Sequence, residues 1–334
     1  MPESPLIAVE HLRKEYGPPT RGNHQPVVAV RDVSFEVRPA EIVAIVGESG
    51  SGKTTVAKLL TGIELPTRGT IQFHQQQVAR LRRKALQDYR RQVQIVFQDP
   101  YAALNPFNSV EYTLARPLVR HLHLGPAAVR ERVRELLHIV QLTPEEDFLP
   151  KRPDELSGGQ RQRVVIARAI ATNPALIVAD EPVSMLDVSI RSGVLQLLDT
   201  LRSEQRLAIV YITHDLLSAQ LLSDRVMVMY RGSVVEEGTA LDVISHPLHP
   251  YTQHLVDAIP HPKKRHQRHS RVALDLATAS ASATSLDTGC AYYARCPVHQ
   301  DRCLEAAPAI QTVRAPSHRV ACYLHEPAHD RQIQ

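Results

Sequence analysis

Eight residues constrain this chain more than any others: Gly47-Glu48-Ser49-Gly50-Ser51-Gly52-Lys53-Thr54, within "EIVAIVGESGSGKTTVAKLLTGI". They match G-x-x-x-x-G-K-[ST] without deviation, and their flanks are those the pattern requires. Before them, Glu41 to Val46 is a β-branched, apolar run that predicts a buried parallel strand. After them, Thr55 to Leu60 predicts a helix with Gly62 as its terminator. The glycines permit a tight loop whose N–H groups turn inward around phosphate oxygens. The helix start adds partial positive charge, Lys53 adds a full one, and the Thr54 hydroxyl can ligate Mg²⁺. Strand, loop and helix in this order predict an α/β fold that binds a nucleotide.

A nucleotide site of this kind needs carboxylates near the metal, and "ALIVADEP" (Ala175 to Pro182) supplies them. It is an apolar strand ending in Asp180-Glu181. The first carboxylate can hold Mg²⁺, directly or through water, and the second can polarise an attacking water. A further strand, "AIVYITH", ends in His214-Asp215. A lone histidine in that position is more often structural than catalytic. Downstream, "ELSGGQRQRVVIARAIATNP" places Ser157 to cap a helix, with Gly158-Gly159 leaving its first N–H groups open to an anion. One chain needs one phosphate cradle, so this second exposed anion-binding helix start predicts recognition of nucleotide held by another subunit.

At these residues the chain resembles the nucleotide-binding subunits of ATP-binding cassette (ABC) transporters. Leu156, Ser157, Gly158, Gly159 and Gln160 reproduce the family's LSGGQ signature in full. In the same order, Tyr16 resembles the aromatic A-loop residue, Gln98 in "QIVFQDP" the Q-loop glutamine, "SMLD" ending at Asp187 the D-loop, and His214 the switch histidine. Met185 departs from the alanine usual in this branch. The resemblance implies a P-loop NTPase cassette, with a RecA-like core, an antiparallel β subdomain and a helical subdomain that carries the signature. It implies ATP and Mg²⁺ as ligands. ATP would be bound by Tyr16 and by Gly47, Glu48, Ser49, Gly50, Ser51, Gly52, Lys53, Thr54 and Thr55. Mg²⁺ would be held through Thr54, Gln98 and Asp180, and Glu181, His214 and Gln98 would carry the hydrolytic chemistry. It also implies that two cassettes close head to tail, each signature motif facing the other subunit's ATP.

"FQDPYAALNP", "EPVSMLDVSIR" and "HPLHPYTQHLVDAIP" resemble the branch that powers dipeptide, oligopeptide and nickel importers. That branch implies two transmembrane permease subunits, a second ATPase subunit (a paralogue or an identical copy) and an extracytoplasmic substrate-binding protein, with no nucleic acid. The chain would sit peripherally at the cytoplasmic face of the cell membrane. Nickel or another solute in place of peptides, an exporter, and a soluble ABC ATPase are the competing readings. A net charge of +4 is too small to imply nucleic acid by itself. No apolar run approaches the length that spans a bilayer, and "MPESPLIAVEHLRKEYG" lacks the layout of a signal peptide. A reducing compartment is therefore expected.

Three segments follow from this: residues 1–260 as the ATPase domain, 261–289 as a linker, and 290–334 as a small Cys-rich extension. The linker opens with "HPKKRHQRHSR", a solvated basic run or a contact for anionic lipid headgroups, and continues as an Ala/Ser/Thr tract. "ARLRRKALQDYRRQ" reads as a solvated helix surface, "AAVRERVRELLHIV" as a helix of the signature subdomain, and "RVMVMYRGSVVEEG" as two strands about Arg231-Gly232. All four cysteines, Cys290, Cys296, Cys303 and Cys322, fall in the last segment. In a reducing compartment four clustered thiols suggest metal rather than disulfides, and their wide spacing leaves Zn²⁺ and an iron–sulfur cluster both open. "GC…RCP…C…HRVAC" resembles the end of the peptide-importer branch, which implies a 4Fe–4S cluster on all four. With few apolar side chains in the segment, a structural staple is the expected role.

Overall fold

Residues 4–17, 26–259, 288–314 and 317–326 are described by the computed structural model. The first half contains β1 (Ile7–Tyr16), β2 (Val27–Val37), β3 (Ile42–Val46), α1 (Lys53–Leu60), β4 (Arg68–Phe73), β5 (Gln76–Gln77), α2 (Arg83–Gln92) and β6 (Val93–Val96). Four helices follow: α3 (Pro100–Ala103), α4 (Val110–Leu122), α5 (Pro126–Ile139) and α6 (Gly158–Ile170). The chain then alternates through β7 (Leu176–Asp180), α7 (Val188–Gln205), β8 (Ala208–Thr213), α8 (Leu216–Leu222), β9 (Arg225–Tyr230) and β10 (Ser233–Thr239). It continues through α9 (Ala240–Ser245), α10 (Pro250–Asp257), β11 (Gln311–Arg314) and β12 (His318–Val320).

Strands β6, β7, β8, β3 and β9 lie side by side and parallel. Their sequences explain the arrangement. β3, β7 and β8 are apolar at every position but Asp180 and Thr213, and each is buried along its whole length, as strands covered on both faces must be. Alternate residues feed the two faces. Ile42, Ala44 and Val46 join the cluster beneath α4 to α7, whereas Val43 and Ile45 join the one beneath α1 and the antiparallel strands. β1, β2, β4 and β5 form that antiparallel part, and β2 alternates buried and exposed positions toward its end. The turn expected at Arg231-Gly232 links β9 to β10 with both residues at positive φ, 44° and 82°.

The helical subdomain occupies the expected region, with α5 over Pro126–Ile139 burying Val129, Val133, Leu136 and Leu137. Within the basic stretch at 79–92, α2 keeps Arg83 and Arg90 exposed and Arg91 half-buried. Its one buried side chain, Tyr89, donates its hydroxyl to the Leu60 carbonyl at the end of α1. The basic run and the Ala/Ser/Thr tract of the linker lie outside the described residues. The extension does not stand apart from the cassette. β12 pairs antiparallel with β10, β11 with β12, and Tyr292 and Val320 are buried, Tyr292 in the cluster beneath α4 to α7. A segment too poor in apolar residues to build a core thus borrows the core of its neighbour.

Candidate functional site

β3 ends inside the molecule and delivers the chain into Gly47 at the point where α1 begins. Two glycines there are sterically required. A Cβ on Gly47 would stand 2.2 Å from the Met229 carbonyl oxygen, and one on Gly52, whose φ is 103°, would stand 2.4 Å from that of Ala29. The loop is therefore pressed between β9 and β2, and its shape is set from both sides. Lys53 closes it: Nζ donates to the carbonyls of Gly47 and Glu48, each at 2.8 Å. Burial draws the Lys53 pKa down, while Glu181, Asp180 and Glu48 oppose that shift.

β7 brings the carboxylates to the same end of the sheet. Asp180 is 5% exposed, and its Oδ1 has no hydrogen-bond partner. Burial raises its pKa, with the Thr54 hydroxyl bonded to it and Lys53 close by, both lowering it. A buried acceptor without a partner, beside a hydroxyl of the phosphate loop, fits the donor set of a Mg²⁺ site. Glu181 turns away from the strand at φ 48°, its N–H donating to the Ile212 carbonyl at 2.9 Å. Two side chains from different elements then converge on its carboxylate. Gln98, just after β6, donates from Nε2 to Glu181 Oε2 at 2.9 Å and to Ser184 Oγ at 3.3 Å. His214, just after β8, places Nδ1 3.3 Å from the same Oε2. Sequence separations of 83 and 33 residues thus collapse onto one carboxylate.

Tyr16 reaches the loop from β1: its hydroxyl shares hydrogen bonds with Thr55 and Glu64, and burial raises its pKa. Its ring is partly exposed, with Lys14 Nζ 5.0 Å from the centroid. The signature stands elsewhere. Ser157 Oγ accepts from the Gln160 N–H at 3.2 Å, and Gln160 Oε1 accepts from the Ser157 N–H at 3.0 Å, a reciprocal cap on α6. Gly159 packs so closely on α7 that a Cβ would meet Ile190 Cγ2 at 2.5 Å. Among the described residues, no hydrogen bond or ion pair joins Leu156–Gln160 to the phosphate loop. Asp187 begins α7 and is exposed, as is Met185. Two contacts on the loop escaped the sequence reading: Tyr251 and Arg295, which reach Glu48 from 203 and 247 residues away. Nothing local marks either of them.

Residues 30–184 match the family profile described as ABC transporter. The probable peptide ABC transporter ATP-binding protein y4tS of Sinorhizobium fredii is 40% identical over 97% of this chain and 91% of its own length. This chain belongs to the ABC transporter family, among its ATP-binding proteins. The oligopeptide transport ATP-binding protein AppF of Bacillus subtilis is also 40% identical, over 93% of this chain and 95% of that one. Among solved structures, cbiO1 of Clostridium perfringens, part of a transporter complex, superposes with a TM-score of 0.65. It is 29% identical over 73% of this chain and 92% of its own. The cassette MJ0796, solved as a dimer in a post-hydrolysis state with ADP and phosphate, gives 0.61 and 30% over 70% of this chain and 98% of its own. Residues 235–303 match a second profile, the oligopeptide/dipeptide transporter C-terminal region.

That second match ends at Cys303. Cys290, Cys296, Cys303 and Cys322 are free thiols and line one small cavity, together with Tyr292, His249 and Tyr323. Burial raises the pKa of Cys290 and Cys296 and pushes that of Cys322 up to about 11. Among the described residues, no group of three or more His, Cys, Asp or Glu side chains is arranged to hold a metal ion. The four thiols share a cavity without closing on a single centre.

Proposed function

We propose that this ABC ATPase powers the import of peptides, and that its hydrolytic site is the convergence of Gln98 and His214 on Glu181. That convergence carries the proposal: nothing in packing requires a glutamine and a histidine from the ends of separate strands to meet one carboxylate beside a buried aspartate whose Oδ1 has no partner. In this reading the inward N–H groups of Gly47–Thr55 and the Lys53 ammonium receive the β- and γ-phosphates. Thr54, Asp180 and Gln98 would hold Mg²⁺, which neutralises phosphate charge when bound. Glu181 accepts a proton from the attacking water, while Gln98 and His214 fix its carboxylate. His214 contacts the γ-phosphate. Tyr16 stacks on adenine, a contact worth about 1–3 kcal/mol by analogy with base–aromatic stacking.

Among the described residues no hydrogen bond or ion pair ties Leu156–Gln160 to this chain's own loop, and with the family signature this supports action on ATP held by a second cassette, a paralogue or an identical copy. Asp187 and Met185, both exposed, belong to that seam. Loss of the γ-phosphate then reopens the pair. Two transmembrane permease subunits at the cytoplasmic face of the membrane and an extracytoplasmic binding protein complete the transporter. Relatives named for peptide and oligopeptide transport, together with the C-terminal match, support peptides as cargo. Uptake of labelled dipeptides, oligopeptides and nickel by cells lacking this chain tests it. Loss of peptide uptake is expected, and loss of nickel uptake alone would assign the other cargo.

The resemblance of "GC…RCP…C…HRVAC" to the end of the peptide-importer branch supports a 4Fe–4S cluster on the four thiols over a single Zn²⁺. Its role here is a structural staple. Anaerobically purified protein should carry iron and acid-labile sulfide; stoichiometric zinc without sulfide would reverse the assignment.

A further inference from the structure

Glu48, the second residue of the phosphate loop, is gripped by two side chains that no loop motif includes. Arg295 bonds its carboxylate with both arms of the guanidinium, Nη1 to Oε2 at 2.9 Å and Nη2 to Oε1 at 3.1 Å. Tyr251, from α10, accepts the Glu48 N–H on its hydroxyl at 2.9 Å. The carbonyl of the same residue accepts a hydrogen bond from Lys53 Nζ. Whatever holds Glu48 therefore also holds one of the two carbonyls that aim the loop's cation.

Arg295 lies between Cys290 and Cys296, in the stretch that lines the thiol cavity. Its guanidinium stands 5.9 Å from the ring centroids of both Tyr230 and Tyr292. Tyr292 in turn packs at 5.1 Å against Tyr230 and 5.4 Å against Tyr251, and bonds His254. An ordinary surface ion pair contributes little, because water screens it and two long side chains must be ordered. This pair differs in being bidentate and in having an arginine already held between aromatic rings.

We propose that Arg295 is a positioning residue for the phosphate loop: it fixes Glu48, and through it the cysteine-bearing extension sets the affinity for ATP. The inference rests on the phosphate-loop reading above and adds a control point outside the cassette's motifs. The pair is 22% and 43% exposed, so the effect is modest. Arg295→Gln and Glu48→Gln should each weaken equilibrium binding of a fluorescent ATP analogue and raise KM about threefold, the range of a partly screened pair. The kcat of Arg295→Gln should stay within about twofold, since Arg295 touches no group that reacts. The double variant should be no worse than either single one. Arg295→Lys, which keeps charge but loses the fork, should fall between. Glu48→Gln leaves the extension's own residues intact, so its effect separates loop positioning from unfolding of the extension. Unchanged affinity and KM in both single variants, or strictly additive losses in the double one, would overturn the proposal. A failure of the phosphate-loop reading itself would look different: Lys53→Ala would then bind the analogue as wild type does.

Discussion

Glu236 is the most informative single residue for how the extension is held to the cassette. Its side chain is 0% exposed and accepts three hydrogen bonds: from the Leu248 and His249 N–H groups, each at 2.8 Å, and from His318 Nε2 at 2.7 Å. His318 is itself 1% exposed, and it begins β12, which pairs with β10 at Glu236. Glu236→Ala would leave three buried donors without an acceptor, and losing one member of a buried pair costs about 3–5 kcal/mol. Glu236→Gln is a sharper probe. The Leu248 N–H and His318 Nε2 share Oε1, whereas the His249 N–H bonds Oε2, so an amide oxygen at the Oε1 position keeps two of the three bonds and turns its NH₂ on the His249 N–H. The cost should then be about 1–3 kcal/mol, one buried N–H left without an acceptor. Denaturant midpoints, read beside limited proteolysis of the extension, measure both. An alanine variant within about 1 kcal/mol of wild type, or a glutamine variant as damaged as alanine, would refute the account of this junction.

Two further outcomes follow from the site. Lys53→Ala should weaken nucleotide binding itself, measured by equilibrium titration, because the loop loses its only buried cation and the bonds to two of its carbonyls. Gly52→Ala places a methyl 2.4 Å from the Ala29 carbonyl at a φ of 103°, which should cost about 1–3 kcal/mol of stability in a melting experiment and lower ATP affinity with it.

The site was legible where its chemistry is local. The phosphate loop, the Asp180-Glu181 strand end and the Ser157 cap each announce themselves within a few residues, because strand, glycine turn and helix start must be contiguous to work. Gln98 and His214 were placed by resemblance, and the sheet supplies the physical reason: parallel strands β6, β7 and β8 are neighbours, so their ends meet. What stayed hidden depends on distant pairing. Nothing near Arg295 or Tyr251 signals a partner in the loop more than 200 residues earlier. Likewise, "HRV" gives no hint that it will join β10 and bury His318 on Glu236. The low apolar content of the extension did show that it could not build a core alone. That it would share the cassette's sheet is a consequence of tertiary packing only.

We propose that Glu181, held by Gln98 and His214, is the base for ATP cleavage. Mg²⁺-dependent phosphate release by Glu181→Gln, measured with the partner subunits present and beside its ATP affinity, tests it most directly. Affinity close to wild type with turnover reduced at least about 100-fold, the lower end of general-base contributions, is the expected result. Wild-type turnover in that variant would contradict the account.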